Sequence, residues 1–198
     1  MQQSSADRDF SGYNAAQANR PERPLARAAL AAMPGTVTSP RTAIELGCGR
    51  GIESRFLAEN GYTVHAYDVD QSVAPTLREL AADLPVHPEI VDLAEISVLP
   101  GADLVLSCAS LPFLPRDSFD GLWNILVTAL RPQGILAVDL FGVHDDWAVT
   151  DGTYLSRDEV EELLEGFEVL ELAEEERGGR SFSGPKHWHT FRVLARRR

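Results

Sequence analysis

Three glycines in five positions, Gly47, Gly49 and Gly51, close the stretch AIELGCGRG that begins at Ala43. Such a turn brings a ligand against bare backbone: a pyrophosphate, the phosphates of a nucleotide, or a nucleoside without phosphate. The spacing G-x-G-x-G is one residue short of the dinucleotide fingerprint and by itself decides little. A P-loop is excluded, because it needs Gly-Lys-Ser/Thr and the only lysine is Lys186. Glu45 is more informative, an acid within an otherwise apolar run just before the turn. A buried carboxylate needs a partner, either backbone amides or a cationic ligand, and a pyrophosphate is a poor neighbour for it. Asp68 follows the glycines by about 20 residues, where a carboxylate can accept both hydroxyls of a ribose. Asp92, in IVDLAEI, stands where a carboxylate can accept the exocyclic amine of an adenine. A nucleoside with a cationic, non-phosphate tail satisfies all three acids, although Asp68 and Asp92 have a simpler role open to them as caps of the next helix.

Residues so spaced need a frame that sets each at the end of a strand. Residues 21–33 have helical composition and end at Pro34-Gly35. Strand-like runs at 42–48, 63–69, 86–93, 102–109 and 134–141 are interleaved with helical patterns at 52–60, 71–83 and 117–130. Strands alternating with helices give a parallel sheet covered on both faces, with its ligand crevice at the carboxyl ends of the strands. The rhythm then changes: Ser156 and Glu159 form a capping box, and 167–176 and 188–197 read as an antiparallel pair joined by RGGRSFSGPKH. The expected fold is α/β, a Rossmann-like, seven-stranded, mostly parallel sheet with a C-terminal antiparallel hairpin and helices on both faces. One domain spans 1–198, with an N-terminal lid or helical segment at 1–35 and the Rossmann-like core at 42–198.

Composition narrows the partners. A net charge of -12 repels a phosphate backbone, so no nucleic-acid partner is expected. The base-free run DEVEELLEGFEVLELAEEE precedes an acid-free stretch from Arg177 to Arg198, which suggests two elements lying side by side. No run reaches the roughly 20 apolar residues of a membrane helix and the start lacks a secretory signature, so a cytoplasmic protein with no membrane contact is expected. Cys48 and Cys108 belong to no metal-binding cluster; they read as reduced, buried thiols, and no metal is expected.

The run AIELGCGRGIESRFLAENGYTVHAYDVD, with Asp92 behind it and LRPQGILAVDL before the hairpin, resembles the class I S-adenosylmethionine-dependent methyltransferases. The resemblance covers nearly the whole chain and is strongest to small, single-domain bacterial enzymes of the tellurite-resistance type that act on small molecules. It implies S-adenosyl-L-methionine as cofactor, with Glu45 and the Gly47 and Gly49 backbone at the methionyl part. It further implies Asp68 on the ribose, Val69 against the adenine ring, Asp92 and the Leu93 backbone on the adenine, and Ser107 near the methionyl amine. A small-molecule O, N or S acceptor and a monomer or homodimer are expected.

The sulfonium already activates the methyl, so the protein needs mainly to align the acceptor and exclude water, and a base is optional. His144 is the first choice for such a base; with Asp145 and Trp147 it follows the fifth strand, over the expected acceptor pocket. Tyr13, in a segment that the resemblance implies folds over the cofactor as a lid, and His187, in the hairpin loop beside Lys186, join that pocket. Bland readings stand beside these: His144 as a solvated loop residue, Trp147 as a wall. Strand alternation puts His189 with Phe191 and Val193 on a packed face. The rivals are an NAD(P)-dependent oxidoreductase, although no Tyr-x-x-x-Lys is present, and a non-catalytic cofactor-binding protein.

Overall fold

A computed structural model describes residues 9–17, 19–33, 35 and 40–198. Two helices come first, α1 (Phe10–Ala16) and α2 (Pro24–Ala32). Asp9 starts α1 by accepting the Gly12 amide at 2.7 Å, and Pro24 occupies the first turn of α2, where its missing N–H costs nothing. Tyr13 therefore sits inside a helix rather than ahead of one. Pro34, expected to help end α2, lies outside the described residues.

The alternation then runs β1 (Arg41–Leu46), α3 (Ile52–Glu59), β2 (Tyr62–Asp68), α4 (Ala74–Asp83), β3 (Val86–Ile90), β4 (Ala102–Ser107), α5 (Arg116–Ala129) and β5 (Leu130–Gly142). A two-residue strand, β6 (Tyr154–Leu155), adds to β5 in parallel; α6 (Arg157–Leu163) and the antiparallel strands β7 (Phe167–Ser181) and β8 (Gly184–Arg197) complete the chain. The main sheet order is β3-β2-β1-β4-β5-β8-β7, parallel through β5. Chain order reverses between β1 and β4, and that switch point opens a crevice at the carboxyl ends of the strands.

Side-chain alternation divides the core into two layers. Ile44, Leu46, Val105 and Leu140 face Leu122, Trp123 and Leu126 of α5. Ala43, Leu104, Leu106 and Ala137 face Leu25 and Ala29 of α2, Leu57 of α3 and Leu77 of α4. The fold is the expected Rossmann-like sheet with helices on both faces, enlarged by β6. No helix among the described residues is long and apolar enough to cross a membrane.

The hairpin is longer than expected. RGGRSFSGPKH reads as a connection, yet the ladder continues through Arg177↔Trp188 to Ser181↔Gly184 and turns only at Phe182-Ser183. Glycine and serine lower strand propensity but keep their backbone donors and acceptors, so the ladder propagates through them. The acidic block runs from α6 into β7 and the basic block from the end of β7 along β8, so that in the hairpin Glu168 stands opposite Arg196 with their side chains 2.7 Å apart.

Candidate active site

The glycine turn has the conformation its residues permit. Gly47, Gly49 and Gly51 have φ of +71°, +52° and +74°, a region costly for side chains with a Cβ. A Cβ on Gly47 would collide with Ser110, and one on Gly49 would lie 2.8 Å from Asn14 Oδ1. The turn is hung from the end of β2: the Gly47 and Cys48 amides donate to the Tyr67 carbonyl at 2.8 and 3.0 Å. The Gly49 amide donates to Asp68 Oδ2 at 2.6 Å, and Asp68 Oδ1 accepts from the Asp70 amide at 2.8 Å. Burial raises the Asp68 carboxyl above its ordinary range, opposed by these two backbone amides.

Glu45 is buried on the α3 side of β1 and accepts from the Ser54 hydroxyl. Burial, with Glu53 nearby, pushes it well above its usual 4.5, against the Ser54 bond. A carboxyl raised by folding contributes stability that is complete below its unfolded pKa and is lost as pH rises through the folded one. Glu45→Gln should therefore flatten the decline in stability above pH 4.5, read as the urea midpoint across the pH range; an unchanged profile would remove Glu45 as its source.

Polar pairs with no periodic signature close the crevice. Glu53, buried in the first turn of α3, takes a two-pronged bond from Arg20, with Nη2 at 2.6 Å, and accepts the Arg23 amide at 2.9 Å. Arg23 donates to Tyr13 Oη at 2.7 Å, and Asn14 donates to Asp70 at 2.8 Å. Helix α1 is thus laid over the glycine turn. Sequence reasoning missed Glu53, Arg20 and Asn14; the available signal was that Glu53 shares a helix face with the buried Leu57. It also missed Asp139 of β5, which projects to the α2 side with Arg192 at 3.5 Å. Burial raises Asp139, with Arg192 and Arg23 opposing, and the same burial raises the half-buried thiol of Cys108.

The remaining expected residues divide. Val69 follows β2, 48% exposed. Asp92 is exposed and caps a short turn through the Ala94 amide at 2.9 Å, while Leu93 packs in the core. Ser107 ends β4, fully buried, its hydroxyl donating to the Leu46 carbonyl at 3.2 Å.

The residues expected around the acceptor are largely engaged elsewhere. His144, expected over the pocket, has a side chain 64% exposed and turns to the hairpin, with Nδ1 at 3.3 Å from Glu176. Asp145 is buried, pairs with Lys186 and accepts the Trp147 and His189 amides at 2.9 and 3.2 Å, leaving no free face for an acceptor. Lys186 is a buried strand residue rather than a loop residue. Its ammonium lies 3.7 Å from the Trp188 ring centroid and 4.3 Å from that of Trp147, so Trp147 forms a wall of this cage. His187 lies on β8 and meets Glu176 at 3.0 Å. Tyr13 packs edge-on to Phe182 at the hairpin tip, ring centroids 6.1 Å apart.

A sheet of this order, with a glycine turn after β1 and a carboxylate ending β2, is the class I S-adenosylmethionine-dependent methyltransferase fold. The family model described as Tellurite resistance protein TehB matches residues 29–178, and the chain belongs to that family. Its structure is similar to TehB from Haemophilus influenzae, with a TM-score of 0.73 and 19% identity over 88% of this chain and 61% of that one. The chain therefore spans 61% of the length of that relative. It is also similar to the 1,6-didemethyltoxoflavin-N1-methyltransferase of Burkholderia thailandensis, solved with S-adenosylhomocysteine, with a TM-score of 0.65 and 20% identity over 97% and 82% of the two chains. A SAM-dependent methyltransferase from Methanosarcina mazei gives a TM-score of 0.63 and 16% identity over 90% and 99%. No curated protein matches the sequence.

Proposed function

We propose that this protein transfers the methyl group of S-adenosyl-L-methionine to an O, N or S atom of a small-molecule acceptor. The observation that carries the reading is the bare-backbone turn: Gly47 and Gly49 in left-handed conformation, tied to a carboxylate at the end of β2. The donor set fits an adenosyl sulfonium. Asp68 offers carboxylate oxygens to a diol, Glu45 and Glu53 make the surroundings acidic, and Arg20 Nε is a buried donor without a partner among the described residues, suited to a carboxylate. Bound S-adenosylmethionine supplies a methyl already activated by its sulfonium.

The protein's own residues then bind, orient and exclude water. Asp68 takes the ribose, Gly47, Gly49 and Glu45 the methionyl end, Val69 an adenine face, Asp92 and the Leu93 backbone the adenine edge, and Ser107 the region of the methionyl amine. Helix α1, held by Glu53 and Asp70, covers the site. Asp139, its carboxyl raised by burial between Arg23 and Arg192, replaces His144 as the group suited to hold an acceptor proton. We take the acceptor to be small, as with the small-molecule methyltransferases that this chain is similar to, and the protein to act as a monomer or homodimer in the cytoplasm, without nucleic acid.

Calorimetric titration with S-adenosylmethionine and, separately, NADH tests the reading. Saturable heat with the first and none with the second is the expected result. Binding of NADH alone would favour an oxidoreductase on the same sheet, and binding of neither would end both readings.

A further inference from the structure

Three of the five histidines, none of them among the residues assigned to the cofactor, converge where the loop after β5 meets the hairpin. His187 and His189 are two apart on β8, so the strand period sends both side chains to one face. Glu176 of β7 stands directly opposite His189. His144 arrives from the loop and stacks its ring on His189, centroids 5.0 Å apart at 24°. One donor atom each from His144, Glu176 and His189 lies within 4.8 Å of the other two. The Glu176 carboxylate also bridges two imidazoles, His144 Nδ1 at 3.3 Å and His187 Nε2 at 3.0 Å.

We infer that His144, Glu176 and His189 form a binding site for one divalent transition-metal ion of the zinc type, with His187 as an adjoining fourth donor. Two or three imidazole nitrogens and one carboxylate are a borderline set, suited to Zn²⁺, Co²⁺ or Ni²⁺, whereas Mg²⁺ and Ca²⁺ prefer oxygen alone. Metal bonds of about 2.0–2.2 Å draw the donors closer together than they now stand, and rotation of the exposed His144 and Glu176 side chains supplies that contraction. His189 is buried and already oriented, its Nδ1 accepting the His144 amide at 3.1 Å and its Nε2 meeting Glu174 at 3.0 Å. Coordination exchanges one of those two bonds for a bond to the metal. The ion would clip the loop after β5 to the hairpin, adding to the Lys186–Asp145 ion pair, hydrogen bonds and ring contacts that already connect the two segments.

The test uses the whole chain without a polyhistidine tag, stripped of metal and titrated with Co²⁺ by visible absorption and with Zn²⁺ by calorimetry. The expected result is one ion per chain, displacement of Co²⁺ by Zn²⁺, and a higher thermal midpoint with Zn²⁺. Glu176→Gln and His144→Ala should each weaken binding by at least the about 10–100-fold that loss of an outer partner costs at metal sites. Both positions are exposed, so the variants keep the fold, checked by circular dichroism. The other histidine pair, His65 and His87 on β2 and β3, serves as control, and His65→Ala should leave binding unchanged. Failure to bind one ion, binding that survives both first variants, or binding lost in His65→Ala would overturn the site.

Discussion

Lys186→Met is expected to destabilise the protein by about 3–5 kcal/mol, read from urea unfolding, because it leaves the Asp145 carboxylate buried without its cation. Neither side chain of the pair has measurable access to water, at 1% and 0% exposed. Trp188, Trp147 and Phe141 surround the ammonium at 3.7, 4.3 and 5.3 Å, so the charge is held by ring faces as well as by the acid. Burial lowers the Lys186 pKa below its ordinary value, against the opposing hydrogen bond and charge of Asp145. Methionine restores the volume and the aliphatic packing but not the charge. The double variant Lys186→Met/Asp145→Asn should recover part of the loss, since the acid is then neutral and the amide oxygen can still accept the Trp147 amide. A single variant within 1 kcal/mol of the parent would mean that the pair does not hold the hairpin to the loop after β5.

Asp68→Ala should lower S-adenosylmethionine affinity by about 10²–10⁴-fold, the equivalent of two hydrogen bonds to a charged acceptor at about 1.5–3 kcal/mol each. Two effects combine. The ribose loses its carboxylate, and the Gly49 and Asp70 amides lose the acceptor that shapes the turn. Asp68→Asn separates them, because an amide oxygen keeps one acceptor for the turn while the charge toward the diol is gone. Calorimetry on both variants, with unfolding curves alongside, distinguishes a ligand contact from a cap. Unchanged affinity in the alanine variant would make Asp68 a cap only.

The βα rhythm was legible because its signals are local. The glycines that had to be left-handed carry positive φ, the Ser156 and Glu159 box closes on itself, and packing of His189 followed from alternation alone. The cover over the turn was not legible. Arg20 and Glu53 are 33 positions apart, and a polar pair leaves no period in the sequence. The hairpin extension was hidden for the opposite reason: composition marks RGGRSFSGPKH as a connection, while a ladder depends on backbone groups that composition does not report. The cage around Lys186 needs rings from β5, the following loop and β8, so only the assembled sheet brings it together. The acceptor-side expectations at His144 and Asp145 assumed that side chains after β5 turn toward the crevice, but the hairpin offered them nearer partners.

Lys186 has one more consequence, for covalent chemistry done to the protein from outside. Every other basic side chain of the positively charged kind is arginine, which common acylating reagents ignore, and the single ε-amine is walled in by indole and phenyl rings. An amine-directed reagent therefore finds no lysine to label on the folded surface. Acylation of Lys186 becomes a clock for the hairpin's departure from its seat, one that runs only while the sheet edge is open.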